Sequence, residues 1–171
     1  MGAVGIVSNE IPQNIKDIAV KYSSSILALD LLKSEKQQLA DYVSNNSRNQ
    51  GVIYRGLDLS DKQFANLKGG DTISASDAVE SWSKKQSSAR EFAIQNVNSP
   101  SVYGHNAVIL KDTSGKGVDI SNISKFQGES EILVSNKDYV VDNIKQTTTT
   151  TYGYAGKKMN TPLTIITVRK V

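Results

Sequence analysis

"FQGESEILV", residues 126–134, sets two carboxylates, Glu129 and Glu131, two positions apart and directly against the apolar run Ile132-Leu133-Val134. In an extended strand, side chains at i and i+2 leave the same face, so the two carboxylates would be neighbours and repel one another. Such a pair needs solvent or a shared cation, and charges at the mouth of an edge strand are its ordinary use. The stretch decides the fold class because it belongs to a series. From Asn106 onward "AVILK", "GVDIS", "EILVS", "DYVVDNI" and "LTIITVRKV" repeat short apolar runs with period-two alternation, punctuated by Gly, Ser, Asn and Lys. The C-terminal half therefore reads as a β-sheet.

Working back from that half, the period changes. Ile15, Ile18, Ala19, Tyr22, Ile26, Leu27, Leu29, Leu31, Leu32, Leu39 and Val43 recur mostly at intervals of three and four, which predicts two or three helices with Ser34 as an N-cap. "NNSRNQG" is a turn signal, and "VIYRGL" after it reads as a buried strand. Ser60 or Asp61 caps a short helix through Leu67, ended by Gly69-Gly70. "QSSAREFAIQN" predicts a further helix, N-capped at Ser87 or Ser88, with Ala89, Phe92 and Ala93 facing inward. "TSGKGVD" lacks the spacing of a phosphate loop and reads as a hairpin turn. "KQTTTTTYGYAGKKMNT" is polar on both faces, so it is expected to be a long hairpin connection or mobile loop of poorly specified register. The expected architecture is α+β, with N-terminal helices followed by a mixed two-sheet β core. A single domain over residues 1–171 is expected, helical at about 10–45 and β-rich at about 51–171.

The bulk numbers narrow the chemistry. A chain of 171 residues can bury a sizeable core, and 20 Lys+Arg against 17 Asp+Glu leave a net charge of +3, too small to argue for nucleic acid. With no cysteine and one histidine, a thiol nucleophile, Cys-ligated zinc and a His-rich metal site are excluded. No metal is implied. No run of about 18 apolar residues occurs, so a soluble chain without membrane association is expected.

Arg55 sits inside the apolar "VIYRGL". A guanidinium there requires an anionic partner, either a protein carboxylate or a bound phosphate. Gly56 beside it would let a ligand approach the backbone. "ESWSKKQSSAREFA" puts Ser81 and Ser83 on one side of a strand-like stretch around Trp82, where hydroxyls can orient a carboxylate or a sugar. Lys84, Lys85 and Arg90 read as a solvated helix face. His105 has no serine elbow or thiol partner and reads as a loop histidine.

In order along the chain, Tyr54-Arg55-Gly56, then Ser81-Trp82-Ser83 ahead of Ala89 and Phe92-Ala93, then Ser124 through Val134 with Glu129-Ser130-Glu131, resemble the mono-ADP-ribosyltransferases of the Arg-Ser-Glu class. The resemblance covers roughly residues 35–145. It implies that NAD is the co-substrate and that its ribose–nicotinamide bond breaks through a positively charged sugar, next to which Glu131 would be the catalytic carboxylate. It implies that Arg55 holds the phosphate or ribose region, that Gly56 meets the nicotinamide amide, and that Trp82 and Arg90 are further NAD contacts. Ser83 would orient Glu131. The family's usual Ser-Thr-Ser is here Ser-Trp-Ser, so either Ser81 or Ser83 can take the principal role. Glu129, two positions before Glu131, marks the subtype whose acceptor is an arginine, and Phe126 is a candidate contact to the target protein or a core anchor. The resemblance further implies a monomer of toxin or effector type, secreted or injected from a bacterium or phage and acting in the cytoplasm of a target cell without need of nucleic acid. Competing readings are an NAD glycohydrolase, an ADP-ribosyltransferase with a nucleic-acid or other non-arginine acceptor, and a catalytically degenerate binding or virion-associated module.

Overall fold

The computed structural model describes residues 11–24, 30–74, 78–95, 105–123, 130–135 and 138–171. Phe126 and Glu129 lie outside the described residues. Among the described residues the first elements are two helices, α1 (Gln13–Ser23) and α2 (Lys33–Asn46), and the apolar positions read from the sequence face inward: Ile15, Ile18 and Ala19 on α1, Leu39 and Val43 on α2. Ser34 is not the N-cap of α2. The helix begins one residue earlier, and the Glu35 carboxylate accepts the Leu32 N–H at 3.1 Å, so the cap is made from inside the first turn. The same carboxylate meets Lys21 at 3.1 Å and ties α2 to α1.

The strands are β1 (Arg48–Leu59), β2 (Thr72–Ile73), β3 (Val79–Ser83), β4 (Asn106–Asp119), β5 (Glu131–Ser135), β6 (Tyr139–Tyr152) and β7 (Lys158–Lys170), with α3 (Asp61–Ala65) after β1 and α4 (Gln86–Ile94) after β3. Ser60 caps α3 as expected, accepting the Gln63 N–H at 3.2 Å. The order across the sheet is β1-β3-β5-β4-β7-β6-β2, with β1 also paired along β4. Among the described residues, all pairs are antiparallel except β4 with β7. β4 joins the two sections of the β core: Val108–Asp112 run beside β7, and Val118–Asp119 beside β5.

This long β4 corrects the reading of "TSGKGVD" as a hairpin turn. Its glycines stand where the strand passes between packed layers. A Cβ at Gly115 would lie 2.3 Å from Ile53 Cγ1, and one at Gly117 would lie 2.5 Å from the Leu133 carbonyl oxygen. The Thr-rich stretch is likewise no loose connection. Thr147–Tyr152 pair in register with Lys158–Leu163, and the chain reverses at Gly153–Lys157, where Ala155 and Gly156 adopt φ of 61° and 74°. Register comes from outside the threonines, through Ile144↔Ile166 in the core and the Thr151–Thr161 hydroxyl pair at 2.6 Å.

Three apolar groups hold these elements together. α1 and α2 pack on Val79, Val118, Ile120 and Leu133. Trp82, Ile132, Ile166 and Tyr139 fill the space between the β sections, and α4 lays Ala89 and Ala93 on Ala107, Ile109 and Leu163. Burying each large aliphatic side chain contributes about 1.5–3 kcal/mol.

Candidate active site

β3 is five residues long and buried along most of its length, and in an extended strand Ser81 and Ser83 leave one face while Glu80 and Trp82 leave the other. β5 runs antiparallel beside it, with Ser83 opposite Glu131 and Ser81 opposite Leu133. Glu131, only 6% exposed, is the first residue of β5 and follows Ser130, whose φ is 51°. Glu131 thus stands at the entrance of β5, opposite Ser83.

The Ser81 hydroxyl donates to Glu131 Oε2 at 2.5 Å. The Ser81 carbonyl accepts from Arg55 Nη1 at 2.8 Å, so one residue bridges a cation on β1 and an anion on β5. Ser83 is 7% exposed, and its hydroxyl accepts the Lys85 N–H at 3.0 Å. This bond lies just ahead of α4, whose N-cap position is Lys85, and Ser87 and Ser88 fall inside the first turn instead of capping it. Arg55 Nε lies 3.7 Å from Glu80 Oε2, an ion pair beyond hydrogen-bonding distance.

Arg55, Ser81, Ser83 and Glu131 line one cavity together with Tyr54, Gly56, Trp82, Ser88, Ala89 and Phe92. Its volume of about 100 Å³ is small beside the roughly 300–1,000 Å³ of ordinary ligand pockets, enough for one ring of a ligand. The structure thus brings together Arg55, Gly56, Ser81, Trp82, Ser83 and Glu131. Arg90 is not among the lining residues; its guanidinium donates to Thr149 at 3.3 Å and to Glu91 at 3.0 Å. His105, also off the cavity, pairs through Nδ1 with Asp58.

One local expectation changes. Phe92 does not face inward: it is 61% exposed, on the flank of α4, while Ala89 and Ala93 take the buried face. Gly56 explains why. A Cβ there would lie 2.0 Å from the Ala89 carbonyl oxygen and 2.8 Å from the Ala93 nitrogen, so the absent side chain admits the helix backbone. Close packing of α4 on β1 leaves no room for a ring between them. Glu80 is the residue that sequence reasoning passed over. Its signal was the unanswered charge of Arg55 together with a glutamate at the Trp82 parity of "VESWS".

No protein-family model matches the chain, and no curated protein matches it. Solved structures do. Vis toxin, an ADP-ribosyltransferase from Vibrio splendidus, is 20% identical, with 94% of this chain and 74% of that one covered and a TM-score of 0.61. A complex of Vis with agmatine gives 20% identity over 94% and 75%, with a TM-score of 0.63. The enzymatic component C2-I of the C2 toxin from Clostridium botulinum is 16% identical over 98% of this chain and 46% of that one, with a TM-score of 0.61. Similarity at these identities speaks for backbone architecture, and the chain has the ADP-ribosyltransferase fold.

Proposed function

We propose that this chain is an NAD-dependent mono-ADP-ribosyltransferase that moves ADP-ribose from NAD to an arginine of a target protein and releases nicotinamide. The observation that carries the reading is the double engagement of Ser81, with Arg55 on its carbonyl and Glu131 on its hydroxyl at one cavity. A site for an anion is thereby coupled to a site for a developing cation. NAD presents both, as its pyrophosphate is anionic and its nicotinamide ribose becomes oxocarbenium-like as the glycosidic bond breaks. The bonding pair leaves with nicotinamide and neutralises its ring nitrogen.

Each residue then has a physical task. Glu131 stabilises positive charge that exists only in the transition state, so its contribution goes into rate more than into binding. Ser81 holds that carboxylate in one orientation. Arg55 pairs with phosphate oxygens, and the Gly56 backbone meets the nicotinamide amide. A cavity of about 100 Å³ walled by Trp82 and Phe92 suits the nicotinamide end alone. A guanidinium nitrogen of the acceptor forms the new bond to the ribose carbon, and Glu129 takes its proton. Agmatine, which Vis binds in a solved complex, carries a guanidinium, and this supports an arginine acceptor here. Phe126 contacts the target protein, which lies in the cytoplasm of a cell that receives this protein from a bacterium or phage.

The test uses labelled NAD and candidate cell extract, with wild type beside Glu131→Gln. Transfer in the variant should fall by at least about 10²–10³-fold. Absence of transfer in wild type, or none lost in the variant, refutes the reading. Glu129→Ala should lose transfer to arginine and retain NAD hydrolysis, so equal loss of both contradicts the arginine acceptor.

A further inference from the structure

Arg55 is held from the protein interior as well as from the cavity. Its side chain is 21% exposed, and a cation so placed is costly without compensation. Glu80 supplies it, with Oε2 3.7 Å from Arg55 Nε, but Glu80 is itself only 3% exposed and needs partners of its own. The Tyr139 hydroxyl donates to Glu80 Oε1. Tyr139, at the start of β6 and 1% exposed, is locked in turn by Trp82, 5.4 Å away between ring centroids, and by Lys170 Nζ, 4.3 Å above its ring. Burial, then the hydrogen bond and charge of Glu80, push the Tyr139 phenol far above its ordinary value, so it remains a donor. Neither Glu80 nor Tyr139 lines the cavity, but each touches a residue that does: Glu80 pairs with Arg55, and Tyr139 packs on Trp82. Glu80 reaches the cavity through Arg55, its ion-pair partner.

We propose that Glu80 and Tyr139 are positioning residues, a Tyr139–Glu80–Arg55 chain that sets the guanidinium before the anionic part of the ligand arrives. The inference rests on the reading of that ligand as NAD. Pre-setting a long cationic side chain removes an ordering cost that binding would otherwise carry. The chain therefore acts on capture of the anion and leaves the bond-breaking step to Glu131 and Ser81.

Tyr139→Phe deletes the hydroxyl while keeping the ring that packs on Trp82, and Glu80→Gln keeps shape without charge. In steady-state NAD hydrolysis both should raise KM for NAD by about tenfold while kcat stays within about threefold, the scale of one hydrogen bond to a charged group. In the free protein, the Arg55 Nε–H resonance should exchange slowly with water in wild type and faster in both variants. Should Glu80→Gln not fold, Tyr139→Phe carries the test alone. Unchanged KM and unchanged Arg55 exchange in a variant that melts like wild type overturn the proposal. So does a lowered KM in Glu80→Gln, which would make Glu80 a mere counter-charge. Failure of wild type to bind NAD in calorimetry refutes the NAD reading instead, and the resonance still reports on the chain.

Discussion

Ser81 and Ser83 share one face of β3, yet their surroundings divide their work. Ser81 answers the Glu131 carboxylate, while Ser83 answers a backbone N–H at the start of α4. A hydrogen bond to a charged group is worth about 1.5–3 kcal/mol, whereas an ordinary one contributes about 0.5–1.5 kcal/mol. Ser81→Ala should therefore lower kcat for NAD cleavage by about 10–100-fold and, by taking a donor from the buried Glu131 carboxylate, lower the melting temperature as well. Ser83→Ala should lower the melting temperature by a few degrees and leave kcat within a few-fold. Parallel kinetics and thermal melts separate the two, and the opposite pattern would reassign the principal serine.

β1 and α4 meet backbone to backbone at Gly56, and that contact sets the width of the cavity. Because the nearest obstruction to a Cβ is the Ala89 carbonyl at 2.0 Å and not a flexible side chain, nothing local can yield. Gly56→Ala should cost about 1–3 kcal/mol in a urea melt and displace α4 from the site. The β6–β7 hairpin rests on a different device. Thr151 and Thr161 are each 4% exposed and bond to one another, so Thr151→Val alone leaves a buried hydroxyl without its partner, at a cost of about 1–3 kcal/mol. The Thr151→Val/Thr161→Val pair should recover much of that loss, since both polar groups go together. A double-mutant cycle in urea checks this, and additive losses would mean that the hydroxyls do not act as a pair.

β4 is the strand through which the whole molecule coheres, since it touches β1, β5 and β7. It also carries a charge at a buried position. Asp112 is 4% exposed, and burial, with the nearby charge of Asp142, raises its carboxyl above the ordinary value against the opposing Ser114 N–H and Lys170. Between the unfolded and folded values the native state holds the extra proton, so stability falls as pH rises through that window. The cost is fully present above the folded value and absent below the unfolded one, near pH 4. Asp112→Asn, which can still accept the Ser114 N–H, should raise the melting temperature at pH 7, and the gain should shrink toward pH 4. A gain independent of pH would assign the effect to packing instead of ionisation.

Local sequence was enough for those features whose cause is local. The 3.6-residue period of Ile15, Ile18, Ala19, Leu39 and Val43 specified two helices, and the alternation after Asn106 specified strands, because each pattern buries its own face. Arg55, Ser81, Ser83 and Glu131 were legible as charges and hydroxyls in an order that apolar strands do not require. Tertiary structure alone decided which serine reaches Glu131, because register across β3 and β5 is a property of the pair. It alone decided that Gly56 admits a helix, that Phe92 turns to the cavity and that the threonines form a hairpin. And it alone joined Tyr139 to Glu80 across 59 positions. Periodicity records which side of an element is buried, while the partner on that side is set only when distant segments pack.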